Sequence, residues 1–176
     1  MATVHTDTTP VASTSSKTEE LSKLYQEGIV AGVIGALAIA LWFLILDSFS
    51  GRPLYTPTVL GTALFKGGAG LDAPENLAIS LGMVLMFTWM HGLIFIIIGG
   101  IASRLLGIAE HNPNLGFGIL LLFVVFEFGF VAASMAFAEV VLRALAWQAV
   151  LVGNLLAAAS MAGYFRWRHP NLTVSP

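Results

Sequence analysis

Three residues in this sequence stand where a proton or a small polar solute would otherwise find only hydrocarbon: His91, Glu127 and Asn154. His91 is the only ionisable side chain between Glu75 and Arg104, and Glu127 the only one between His111 and Glu139. Asn154 lies in the middle of the charge-free run from Ala144 to Phe165. A buried imidazole beside a carboxyl can share one proton with it, and a small change of surroundings then moves that proton. Thr88, three residues before His91, and Ser134, seven after Glu127, lie close to the same helical faces and can complete the hydrogen bonding. The chemistry implied is the binding or relay of a proton or a small polar solute at one polar layer.

Two other readings use the same residues. In one they are hydrogen-bonding glue that fixes helix register, worth about 1–2 kcal/mol per bond or less in lipid. In the other His91 ligates heme iron or a metal, with Trp89 and nearby phenylalanines as walls. Ligand arithmetic disfavours the second: His5, His111 and His169 lie in the tail or near helix ends, and no Glu-x-x-His pair is present for a di-iron site. Asp47 and Glu139 fall at an outer mouth, away from His91 along the helix axes. No cofactor is therefore expected, with heme or a metal at His91 kept as the alternative. The chain has no cysteine, which excludes thiolate ligands and thiol nucleophiles, and no P-loop, GxGxxG, HExxH, GxSxG or calcium-loop motif. Catalysis is not expected.

The elements that must hold these residues follow from composition. Of 176 residues 57 % are hydrophobic and only 10 % charged, with a mean hydropathy of +0.85. Ordinary soluble domains carry about a quarter charged residues, so this is the composition of an integral membrane protein. A net charge of −2 and a pI near 6.0 exclude a strongly basic nucleic-acid binder. A bilayer core of about 30 Å needs roughly 20 apolar residues in a helix. Four stretches qualify, about 28–48, 76–103, 113–138 and 144–166, and none alternates like a barrel strand. The expected fold is an all-α, four-transmembrane-helix bundle over 21–169, with a polar disordered tail at 1–20 and a short tail at 170–176. A capping box at Ser16–Glu19 predicts a short interfacial helix before the first span, and Asp72–Glu75 predicts the start of the second.

Lys17, Lys23, Arg104, Arg166 and Arg168 flank the spans on one side and Arg52, Lys66 and Arg143 on the other. The positive-inside rule then places both termini in the cytoplasm of a cell (inner) membrane. Gly28, Gly32, Ala36 and Ala40 form a small-xxx-small ladder on the first span, the mark of a helix interface in lipid. The loop from Ser48 to Glu75 should carry an amphipathic helix lying on the membrane, begun by Thr56-Pro57 and striped by Val59, Leu60, Ala63 and Leu64. It is read as an outer cap, with Arg52, Tyr55, Val59 and Leu60 as a partner surface. Besides the lipid bilayer, the expected partners are other membrane subunits or further copies of the chain, with no nucleic acid. One four-helix bundle has little room for a pore of its own.

Overall fold

The computed structural model describes residues 11–67, 69–71, 73, 76–111 and 147–170. The expected third span, with Glu127, Ser134 and Glu139, and the expected loop cation Arg143 lie outside the described residues. Four helices are present among them: α1 Val11–Phe49, α2 Tyr55–Lys66, α3 Leu81–His111 and α4 Trp147–Arg168. Three contain stretches long and apolar enough to cross a membrane, Ser22–Phe49, Leu81–Ile108 and Trp147–Arg168. Leu41, Leu85, Trp89, Ile97 and Leu155 all point outward and are exposed. So large an apolar exterior would be an aggregation surface in water and is the ordinary exterior of a helix in lipid.

Two boundaries differ from the sequence expectation. Residues 11–20 are helical and not disordered, and α1 runs unbroken from Val11 with no separate interfacial helix at Ser16. No glycine or proline interrupts the stretch from Val11 to Glu27, so the membrane helix extends outward without a new nucleation step. Helix α3 begins at Leu81 and not at Asn76. Ser80 is its cap: its Oγ accepts from the Met83 N–H at 3.4 Å, and its carbonyl from the Val84 N–H at 3.0 Å. The backbone just before it is tied to the α2 region instead. Arg52 Nη2 donates to the Leu77 carbonyl at 2.7 Å, and the Ser80 N–H donates to Thr58 Oγ1 at 3.4 Å.

Helix α1 is the centre of the assembly, with α3 and α4 both packed along it. Its contact with α3 is backbone against backbone. A Cβ added to Gly28 would stand 2.7 Å from Gly100 Cα, one on Gly32 would strike the Phe95 carbonyl, and one on Gly99 the Gly28 carbonyl oxygen. Gly35 leaves room for the Phe95 ring and the Met161 sulfur, and Gly153 of α4 for the Trp42 ring. A core of Ala31, Met161 and Phe165, with Phe95, Ile98 and Ala102 packed against it, joins the three helices. Gly28 lies opposite Gly100 and Gly32 opposite Phe95, while Glu27 meets Arg168 and Trp42 meets Ala149. Both α3 and α4 are thus antiparallel to α1 and run the same way as each other.

Substituting Gly32 by alanine should destabilise the protein by about 1–3 kcal/mol, since two helix backbones must separate to admit one methyl group. Gly92, where an added Cβ meets nothing within 4 Å, should tolerate alanine with no loss. Thermal unfolding of the two variants in one mild detergent checks this, and equal losses would refute it.

Candidate functional site

His91 sits near the middle of the α3 span, one helical turn from each of two phenylalanines. Its ring stacks on Phe87 with centroids 5.5 Å apart and lies tilted against Phe95 at 4.7 Å. The spacing of four residues puts all three rings on one helix face, as α-helical geometry requires. The imidazole approaches the backbone of Ala36 in α1, on the same small-residue ladder that admits α3. Its Nε2 is buried and has no hydrogen-bond partner among the described residues. A polar nitrogen buried without a partner is costly, by about 1–3 kcal/mol.

The other members of the expected layer are distributed differently. Gly153 of α4 lies against Trp42 and Phe43 of α1, so Asn154 stands level with about Leu41, whereas His91 stands level with Ala36. At 1.5 Å per residue the offset along α1 is about 7 Å. Equal distance from the ends of each span does not mean equal depth here, because the packing of α3 and of α4 against α1 sets the register of each separately. Asn154 is half-buried and Thr88 is exposed on the surface of α3. Glu127 and Ser134 lie outside the described residues.

At the opposite end of α1 the sequence-selected residues do come together. Asp47, only 5 % exposed, directs both carboxylate oxygens at Thr56: Oδ2 accepts from its N–H and Oδ1 from its hydroxyl, each at 2.8 Å. The carboxylate of α1 thereby caps the first turn of α2, where the helix dipole favours negative charge. The connection is held in one shape by the Arg52 N–H, which donates to the Asp47 carbonyl at 2.9 Å. Leu54, at φ 67°, takes a left-handed conformation that costs a residue other than glycine about 1–2 kcal/mol. The Arg52 guanidinium lies 4.0 Å above the centre of the Tyr55 ring. Val59 is fully buried against Leu71, with Tyr55, Leu60 and Ala63 beside it. Of the expected partner surface, Val59 therefore offers nothing to a partner, and Arg52 and Tyr55 are engaged within the loop itself. Periodicity placed Val59 on an apolar stripe with Leu60, Ala63 and Leu64, and it shows which residues share a face but not what that face meets.

Several ties carry no recognisable motif. Glu27 accepts from Arg168 Nε and Nη2 at 3.0 and 2.6 Å, and its other oxygen lies 2.8 Å from His169 Nε2. Ser103 Oγ donates to the Leu24 carbonyl at 2.6 Å, Arg104 Nη1 to the Tyr25 hydroxyl at 3.0 Å, and Trp42 Nε1 to the Ala149 carbonyl at 2.8 Å. The depth of Trp42 within an apolar run was the one sequence signal that its indole N–H needed a partner. Among the described residues no group of three His, Asp or Glu side chains is placed to hold a metal ion. No family model, no curated protein and no solved structure matches this chain.

Replacing Asp47 by alanine should strand the Thr56 N–H and hydroxyl in a buried place, at about 1–3 kcal/mol for each group. Asp47→Asn keeps one acceptor and should lose less. The ordering wild type, Asn, Ala in thermal stability checks the assignment, and indistinguishable melting points would contradict it.

Proposed function

We propose that this is a small integral membrane subunit in which His91 binds or relays a proton or a small polar solute, with Glu127 as its partner. The observation that carries the reading is the buried His91 Nε2, in the middle of a membrane-length helix and without a hydrogen-bond partner among the described residues. Ionisable groups inside membranes are rare and expensive, and an unpaired one is the default mark of a functional path. The fourth crossing belongs to the same proposal. His111 closes α3 at the Glu27 end of α1, and Trp147 opens α4 at the Asp47 end, so the intervening chain has to return across the same thickness. The stretch 113–138 has the length and composition for it, and Glu127 falls near its centre. With four crossings the basic residues near the Glu27 end put both termini in the cytoplasm. Action within a larger complex or a homo-oligomer follows from the small size of one bundle.

A second reading, a non-catalytic structural or assembly subunit, is favoured by one observation: Asp47, Thr56, Thr58, Thr62 and Ser103, buried polar residues, all bond within the chain. The two readings differ in what happens to the His91 proton. In lipid nanodiscs, nitrogen-15 histidine spectra should show the His91 ring changing protonation or tautomer with pH, at a midpoint that shifts in Glu127→Gln. A ring fixed in one tautomer across the stability range, with Glu127→Gln changing only the melting temperature, would leave the structural reading and overturn the proposal.

A further inference from the structure

Helix α2 buries Val59 but also encloses its hydroxyls, while two large apolar side chains near its end face outward. Its sequence, YTPTVLGTALFK, has three threonines, and all three are buried: Thr56 and Thr62 are 3 % exposed and Thr58 is fully enclosed. Leu64 and Phe65 point outward instead, Leu64 at 55 % exposure. A cap lying over a bundle in water would turn Leu64 and Phe65 inward and spend its hydroxyls on solvent.

None of the threonine hydroxyls relies on water. Thr56 Oγ1 donates to Asp47, Thr58 Oγ1 to the Leu54 carbonyl at 2.8 Å, and Thr62 Oγ1 to the Thr58 carbonyl at 2.8 Å. Hydroxyls bonded back four residues along their own helix are self-sufficient in an apolar surrounding. The contact with α3 is also of the kind that serves helices in lipid, where small residues and polar contacts fill the interface. A Cβ on Gly61 would lie 2.6 Å from the Met83 carbonyl oxygen, so the two backbones touch one turn into α3. At that same end Phe49 of α1 and Leu81 and Leu85 of α3 are strongly exposed, at 87, 66 and 71 %. The outward side of α2 therefore continues the apolar exterior of the membrane-length helices.

From this arrangement we infer that α2 is inserted into the bilayer beside the first turns of α3, with Leu64 and Phe65 against lipid acyl chains. Lys66 ends the helix with a side chain long enough to reach the headgroups, and Gly67, at φ 60°, turns the chain away. The occupant of this face is lipid and not a second protein, because α2 meets the first turn of α3 at Gly61 and Met83, at the end of the molecule where Phe49, Leu81 and Leu85 are also exposed.

The absence of cysteine makes the test direct. Single cysteines at Leu64, Phe65, Leu85 and Ala69 are spin-labelled in nanodiscs, and collisions with oxygen and with a water-soluble nickel chelate are measured. Leu85→Cys reports the lipid-facing side of α3 and Ala69→Cys the exposed loop. The inference requires the oxygen-to-nickel ratio at Leu64→Cys and Phe65→Cys to shift to the side of Leu85→Cys, opposite to Ala69→Cys. Ratios like that of Ala69→Cys would place α2 in water and overturn it, and low collision rates with both reagents would mean a protein cover and overturn it equally. Nickel accessibility at Leu85→Cys would instead refute the membrane reading of α3, which keeps the two failures apart.

Discussion

The architecture depends on the absence of side chains between α1 and α3. Lipid tails are as apolar as leucine, so helices in a bilayer gain little by burying apolar surface against one another and must associate through close packing and polar contacts. Gly28 and Gly32 on one helix, and Gly99 on the other, let the backbones meet. Once that contact is made, the depth of every residue on α3 relative to α1 is fixed. His91 is brought beside Ala36, and the Ser80 cap is set at the end where Asp47 emerges. Helix α4 joins on a second face of α1, where Gly35 and Gly153 leave space for Met161 and Trp42.

The polar side chains then divide by what they bond to. Near one end of α1 the groups of three helices are tied in pairs, Glu27 to Arg168 and His169, Ser103 to Leu24, and Arg104 to Tyr25. At the other end Asp47 is spent on the first turn of α2. These are register-setting contacts, in the sense that each would be lost by sliding a helix one residue along its neighbour. His91 is of a different kind, held by two aromatic rings and leaving a nitrogen unpartnered among the described residues. That difference separates the structural polar groups from the proposed functional one.

Much of this was legible in the sequence. Uncharged length located the three membrane-length helices, and Gly28, Gly32 and Ala36 of the small-residue ladder announced the face on which α1 meets α3, whereas its last member, Ala40, is exposed. Helix α2 was foreseen from Thr56-Pro57 and Gly67, to within a residue or two at its ends. The inward turn of its threonines was not, because amphipathic reasoning assumes water on the open side. The position of Asp47 was read as a mouth residue, since nothing in a linear sequence says that a carboxylate ending one helix will cap the next, nine residues on. The start of α3 lies at Leu81 because the backbone before it is bonded by Arg52 at the Leu77 carbonyl and donates from the Ser80 N–H to Thr58, ties between elements that no local capping pattern announces.

The central claim is a bundle organised around α1 in which α3 and α4 run the same way, and the crossing proposed above for the chain between them. Sidedness of single cysteines at Ser22, Pro53, Gln148 and Pro170, read with a membrane-impermeant thiol reagent on sealed vesicles, addresses it most directly. The account predicts that Ser22→Cys and Pro170→Cys react from one face and that Pro53→Cys and Gln148→Cys react from the opposite face. Reaction of Gln148→Cys from the same face as Pro170→Cys would contradict it.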